Sequence, residues 1–134
     1  MGFELSLDEG AYLVRLARRA IEAELGAGAT PDPVDAPEKL RQPCGVFVTL
    51  NTVEGSSHRL RGCIGFPYPV KPLVEAVLDA ARSAAFDDPR FRPVSPGEMG
   101  SIVVEVSVLT PPEAIRVESP DQHPEHIEVG VEPG

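Results

Sequence analysis

The chain has 134 residues, of which 42% are hydrophobic, and its mean hydropathy of −0.07 predicts one globular domain over residues 1–134. Its 21 acidic and 12 basic residues give a net charge of −9, which argues against nucleic acid as a partner. Two cysteines and the lack of a signal-like or membrane-spanning run indicate a cytoplasmic protein without a disulfide framework or a membrane partner.

The first predicted element is a helix. Residues 6–9 form a capping box, and apolar residues then recur at helical spacing, so we expect a helix over 7–25. Three arginines cluster on it: Arg15, Arg18 and Arg19. They indicate either an anion-binding surface or a solvated face on which Arg18 pairs with Glu22. A loop rich in proline and glycine is expected over 26–43.

A β-hairpin follows this loop. Apolar alternation predicts a strand over 44–53, and a Gly/Ser-rich turn leads to a second strand over 59–64. Counting from the turn places Cys63 opposite about Val48. Cys44 then lies several residues out of register with Cys63, which makes a disulfide between the two cysteines sterically unsuitable.

The second strand of the hairpin carries the most distinctive residues. Strict alternation places Leu60 and Ile64 on one face and Arg59, Arg61 and Cys63 on the other. A guanidinium two residues from Cys63 favours the thiolate form of a thiol. Gly62 and Gly65 bracket Cys63 and leave room for a close approach to the backbone.

A second helix is predicted from about Pro72, which suits a first helical turn. Its apolar face comprises Val70, Leu73, Val74, Val77, Ala81 and Ala84. The alanine-rich end of this face predicts close packing against a sheet.

The segment 86–91 is predicted to be a loop held by two aromatic residues. Asp87 and Asp88 could orient a substrate or a metal ion while Arg90 binds an anion. The alternative is a turn in which an aspartate caps the backbone and pairs with Arg90.

A second capping box over 95–98 predicts a short helical turn before an apolar strand over 102–109. Ile102, Val104, Val106 and Val108 share one face of that strand, and Val103, Glu105, Ser107 and Leu109 share the other. Among such neighbours the Glu105 carboxylate needs a partner. It is either an ion pair with an arginine such as Arg61 or a general acid or base.

Little chemistry is predicted near the C-terminus. Residues 115–117 indicate a short strand. Asp121, His123 and His126 superficially suggest metal ligands, but Pro124 prevents a helix from presenting both histidines on one face. We therefore expect a surface loop and no metal site here.

Several of these segments resemble one known family. Residues 60–65, with the sequence Leu-Arg-Gly-Cys-Ile-Gly, are similar to the signature of the AMMECR domain family, and residues 45–50, 84–91 and 105–112 match in the family's order. The order of the predicted elements indicates a two-layer α+β fold with helices packed on a mainly antiparallel sheet, and the resemblance implies the same fold with a curved sheet. The resemblance also implies that the family's C-terminal portion is missing, and suggests Memo-like and radical-SAM proteins as partners.

Two functional hypotheses follow. In the first, the domain is an enzyme in which Cys63 is the nucleophile, Arg61 stabilises negative charge and Glu105 is the acid–base partner. Against it, no histidine is placed to activate the thiol.

In the second hypothesis, the domain is a binding or scaffold module for a small anionic ligand or a protein partner. Its contacts would come from Arg61, Arg90 and the backbone near Gly62 and Gly65, and Cys63 would be a packed residue. The family match adds Asp88 and Ser107 to the ligand-binding candidates. Neither hypothesis requires a cofactor.

Overall fold

The computed structural model describes residues 5–110, 113–119 and 128–133. Two α-helices and five β-strands make up most of this part of the chain. Their bounds are α1 Leu7–Glu24, β1 Gly45–Glu54, β2 Ser57–Phe66, α2 Leu73–Phe86, β3 Ile102–Thr110, β4 Glu113–Ser119 and β5 Glu128–Pro133. Three 3-10 turns complete them: Pro33–Asp35, Glu38–Arg41 and Pro96–Ser101.

The strands form one curved antiparallel sheet in the order β2-β1-β3-β4-β5. β1 lies between β2 and β3. It forms a hairpin with β2 through a short turn and pairs with β3 along its other edge. The turn uses Gly55 at a φ of 62°, a conformation that glycine adopts without steric cost.

Both helices lie on one face of the sheet, which gives the predicted two-layer α+β fold. The inward side chains of β1 and β3 alternate as predicted and are fully buried. They are Val46, Val48, Leu50, Ile102, Val104, Val106 and Val108. From the helix side, Leu13 and Ile21 of α1 and Leu73 and Val77 of α2 complete the same core. Burial of these aliphatic side chains is the main term that stabilises the fold.

Local signals fixed the helix ends. The Ser6–Glu9 capping box is formed in both directions, and α1 runs within one residue of its predicted span. The pair of Arg18 with Glu22 is also formed, at 3.4 Å.

Val70, which is predicted to lie on the apolar face of α2, precedes the helix and is 75% exposed. The predicted loop over 26–43 contains two of the 3-10 turns.

In the part of the chain that the structure describes, no helix is both long enough and apolar enough to cross a membrane. Residues 121–126, with the two histidines discussed above, lie outside that part. The short strand expected over 115–117 is present as part of β4.

Candidate functional site

A β-bulge divides β2 in the middle of its distinctive motif. Leu50 of β1 lies opposite Gly62, but the next residue, Asn51, lies opposite Leu60, so Arg61 is the extra residue. A bulge adds one residue to a strand and interrupts strict alternation. The expectation that Leu60 and Ile64 share one face, and that Arg61 and Cys63 share the other, is therefore wrong.

The bulge directs Gly62 towards the helices. A Cβ atom at Gly62 would lie 2.1 Å from the carbonyl oxygen of Ala84, so the α2 backbone rests directly on this strand. Only glycine permits such an approach. Cys63, the next residue, faces the opposite side of the sheet.

On that opposite side, Cys63 belongs to a row that crosses three strands. Thr49 of β1 is the register partner of both Cys63 of β2 and Glu105 of β3. The Cys63 Sγ and Thr49 Oγ1 atoms are 3.1 Å apart and share a hydrogen bond. Residues directly opposite on neighbouring strands point to the same face. The fold thus places Cys63 and Glu105 on the same face in one row, with the hydroxyl of Thr49 between them.

A second row lies beside the first. Phe47 is the register partner of Gly65 and of Ser107. A Cβ atom at Gly65 would lie 2.3 Å from Cδ1 of Phe47, so the phenyl ring covers this glycine. Side chains from both rows are partly exposed, which leaves thiol, hydroxyl, carboxylate and aromatic groups accessible on one face.

Asp88 and Arg90 hold the backbone of Cys63 from the free edge of β2. The Cys63 amide donates to Asp88 Oδ2 at 3.0 Å, and Arg90 Nη2 donates to the Cys63 carbonyl at 3.4 Å. Arg90 also donates to Asp88 through its backbone amide, Nε and Nη2. The predicted turn with an Asp–Arg pair is therefore formed, and we call this arrangement the Asp88–Arg90 clamp.

Electrostatics reinforce the clamp. Asp88 is only 4% exposed, and its hydrogen bonds from Arg90 hold the pKa of its carboxyl well below the usual range. The same hydrogen bonds raise the pKa of Arg90. The Arg90 side chain nevertheless stays 55% exposed.

Arg61 has a different partner. Its Nε donates to Glu98 Oε1 at 2.7 Å and its Nη2 to Glu98 Oε2 at 3.1 Å, while the carbonyls of Arg92 and Pro93 accept two further bonds. The Arg61 side chain is only 11% exposed. The hydrogen bonds from Arg61 lower the pKa of Glu98 to about 2. Arg61 is therefore not the partner of Glu105, although an ion pair with an arginine such as Arg61 is one of the two roles predicted for that carboxylate.

The sequence profile of the AMMECR1 family matches residues 14–132. This chain belongs to the AMMECR1 family. A relative from Methanothermobacter thermautotrophicus is 55% identical over 129 residues, which are 96% of this chain and 65% of that protein. A relative from Methanopyrus kandleri is 50% identical over 131 residues, 97% of this chain and 62% of that protein. The chain thus spans just under two thirds of the length of these two relatives.

A solved structure supports the same assignment. The crystal structure of uncharacterized protein PH0010 from Pyrococcus horikoshii superposes with a TM-score of 0.71 at 44% sequence identity. The match covers 93% of this chain and 68% of that chain. At this identity the AMMECR1 fold described above is shared by the two proteins.

Three residues of this AMMECR1 domain were missed as site residues: Thr49, Phe47 and Glu98. Thr49 and Phe47 could have been found, because the alternation of β1 places both on the face opposite its buried residues. Glu98 could not, since its pairing with Arg61 spans 37 positions. His58, the nearest histidine to Cys63 in sequence, is exposed and pairs with Val53 near the hairpin turn, about 16 Å along the strand from Cys63.

Proposed function

We propose that this domain is a non-catalytic binding module. It would hold an anionic group of a small ligand or of a partner peptide at Arg90, beside the row formed by Cys63, Thr49 and Glu105. The supporting observation is the state of Arg90. Its Nε and Nη2 atoms are fixed by the clamp, its Nη1 atom donates to no described acceptor, and its side chain is half-exposed.

A guanidinium in this state is suited to binding. Fixing one edge removes much of the conformational entropy that an arginine otherwise loses when it pairs with a carboxylate or phosphate. The remaining N–H groups form charge-assisted hydrogen bonds, which are the stronger class. Arg61, by contrast, already donates to Glu98 and to two carbonyls, so it is not part of the ligand site.

Titration with inorganic phosphate, followed by ¹⁵N NMR, tests the proposal. We expect phosphate to shift the amide signals of Cys63, Arg90 and their neighbours. Arg90→Gln should abolish these shifts, and Arg90→Lys should retain a weaker response. Arg92→Gln is the matched control, because Arg92 is also exposed but its side chain forms no hydrogen bond or ion pair with a described residue. Equal shifts in the wild type and in Arg90→Gln would contradict the proposal.

A ligand presented by a protein would extend this test. By family resemblance, Memo-like and radical-SAM proteins are the partner classes that we propose to examine first. Binding that is lost in Arg90→Gln and kept in Arg92→Gln would identify a peptide partner at the same site.

One observation favours a second candidate, an enzyme that uses Cys63 as its nucleophile. Thiol, hydroxyl and carboxylate stand in one cross-strand row, although two strand spacings separate Cys63 from Glu105 by about 10 Å. Alkylation of Cys63 by iodoacetamide against pH, in a Cys44→Ser background, distinguishes the candidates. Native reaction much faster than that of the unfolded chain favours the enzyme, and a native rate no faster than that of the unfolded chain favours the binding module.

A further inference from the structure

A groove of about 380 Å³ lies on α1, formed by elements other than those of the Cys63 site. One wall is the outer surface of α1, with Tyr12, Arg15 and Arg19. The other wall is the loop over 29–35. The volume falls within the range of sites for small molecules.

The helix wall carries unpaired positive charge. Arg15 and Arg19 are exposed and one helical turn apart, about 6 Å along the axis. In the part of the chain that the structure describes, neither forms an ion pair or a hydrogen bond. Arg18, between them, faces elsewhere and binds Glu22 and the carbonyl of Ile102.

The loop wall carries negative charge and is held in place. Asp32 and Asp35 line it, and Asp35 forms no ion pair or hydrogen bond among the described residues. Arg41 fixes the backbone of this wall by donating to three carbonyls, those of Pro33, Val34 and Ala36. The wall is therefore built before any ligand arrives.

Among the residues that the structure describes, the two walls form no ion pair with each other. Every pair of their charged groups is beyond ion-pair distance, although both signs line one groove. Tyr12 and Leu16 supply an aromatic and an apolar surface beside them. Burial and the charge of Asp35 raise the pKa of Tyr12, which places Asp35 within electrostatic range of the phenol. A ligand that carries both a negative and a positive charge would supply an ion-pair partner to each wall.

We propose that this groove binds a small zwitterion, namely a free α-amino acid or a short peptide. Its carboxylate pairs with Arg15 and Arg19, and its ammonium group pairs with Asp35 and Asp32. Carboxylate recognition by two guanidiniums accounts for the helix wall. Ammonium recognition accounts for the acidic wall, which an ordinary anion would avoid because of like-charge repulsion.

The test is a ¹⁵N NMR titration of the chain with leucine, with glycyl-leucine, and with N-acetylglycyl-leucine, which has no ammonium group. We expect saturable shifts at α1 and the 29–35 loop, with a dissociation constant in the millimolar range. The larger response identifies whether the amino acid or the dipeptide fits the groove. The acetylated peptide should bind at least about tenfold more weakly.

Variants separate the two walls. Arg15→Gln combined with Arg19→Gln should abolish binding. Asp35→Asn should weaken the binding of the zwitterionic ligand and leave the binding of the acetylated peptide unchanged. Arg92→Gln serves again as the control. Equal binding of the acetylated and free peptides overturns the zwitterion assignment, and absence of saturable shifts overturns the site. Because all of these residues lie outside the Cys63 site, Arg90→Gln should leave the result unchanged.

Discussion

The two halves of β2 share one short motif and one partner strand, but their side chains contact different parts of the molecule. The bulged half, with Arg61 and Gly62, is committed to the interior: Gly62 lies against the α2 backbone and Arg61 is tied to Glu98. The regular half, with Cys63 and Gly65, presents its side-chain face to the open side of the sheet. One motif thus combines a structural and an accessible segment, and the bulge is the boundary between them.

The comparison also shows how the fold treats two arginines. Arg61 and Arg90 each form bidentate hydrogen bonds to a carboxylate, but Arg61 is 11% exposed and Arg90 is 55% exposed. Arg61 is buried by its contacts within the fold, whereas Arg90 is held in one orientation and stays accessible to solvent.

The largest effect is expected for Gly62→Ala. The added Cβ would lie 2.1 Å from the Ala84 carbonyl oxygen, so α2 must move away from the sheet. We expect a loss of about 3 kcal/mol or more in the free energy of unfolding, measured with urea. Gly97→Ala is the matched control, since its Cβ would meet nothing within 4 Å. Similar losses in both variants would mean that α2 does not rest on Gly62.

Breaking the pair of Arg61 and Glu98 ranks next. Arg61→Gln and Glu98→Gln should each lower the free energy of unfolding by about 2 kcal/mol, because each leaves a partly buried charge without its partner. The double variant should lose clearly less than the sum, as expected for a coupled pair. Strict additivity would show that the two side chains act independently.

The same pair predicts a pH dependence. The pKa of Glu98 is lowered from 4.5 to about 2, so its contribution to stability is complete above pH 4.5 and is lost as the pH falls towards 2. Asp88 contributes with the same sign, because its pKa is also lowered. In urea titrations at successive pH values, Glu98→Gln should flatten the decline between pH 4.5 and 2. An unchanged slope would contradict the assignment.

The smallest effect is expected for Cys63→Ser. The serine hydroxyl can replace the thiol in its hydrogen bond to Thr49, and the side chain is already partly exposed. The free energy of unfolding should change by less than about 1 kcal/mol. Phosphate binding at Arg90 should persist, because the clamp uses only the backbone of Cys63. If Cys63→Ser lost phosphate binding but kept its free energy of unfolding, the thiol itself would have to contact the ligand.

Much of the fold could be predicted because its signals are local. The Ser6 capping box and the alternation of β3 each depend on residues within a few positions, and both were read correctly. The acidic partner of Arg61 could not be predicted in this way, since Glu98 lies 37 positions further along the chain, beyond α2.

The candidate site depended on one non-local feature. Counting back from the turn pairs Cys63 with Val48, and the bulge at Arg61 moves the partner by one residue to Thr49. A shift of one residue exchanges the two faces of a strand. Without the bulge, Cys63 would share the buried face of Val48, so a single inserted residue decides whether this thiol is accessible.

The Asp88–Arg90 clamp has a consequence beyond the site. β2 is an outer strand, and an outer strand with unpaired amides and carbonyls can recruit a strand from another molecule and start aggregation. At Cys63 a carboxylate already occupies the amide and a guanidinium already occupies the carbonyl. An incoming strand would have to displace two buried or charge-assisted bonds before its first backbone pairing, so the clamp also protects the hairpin edge against self-association.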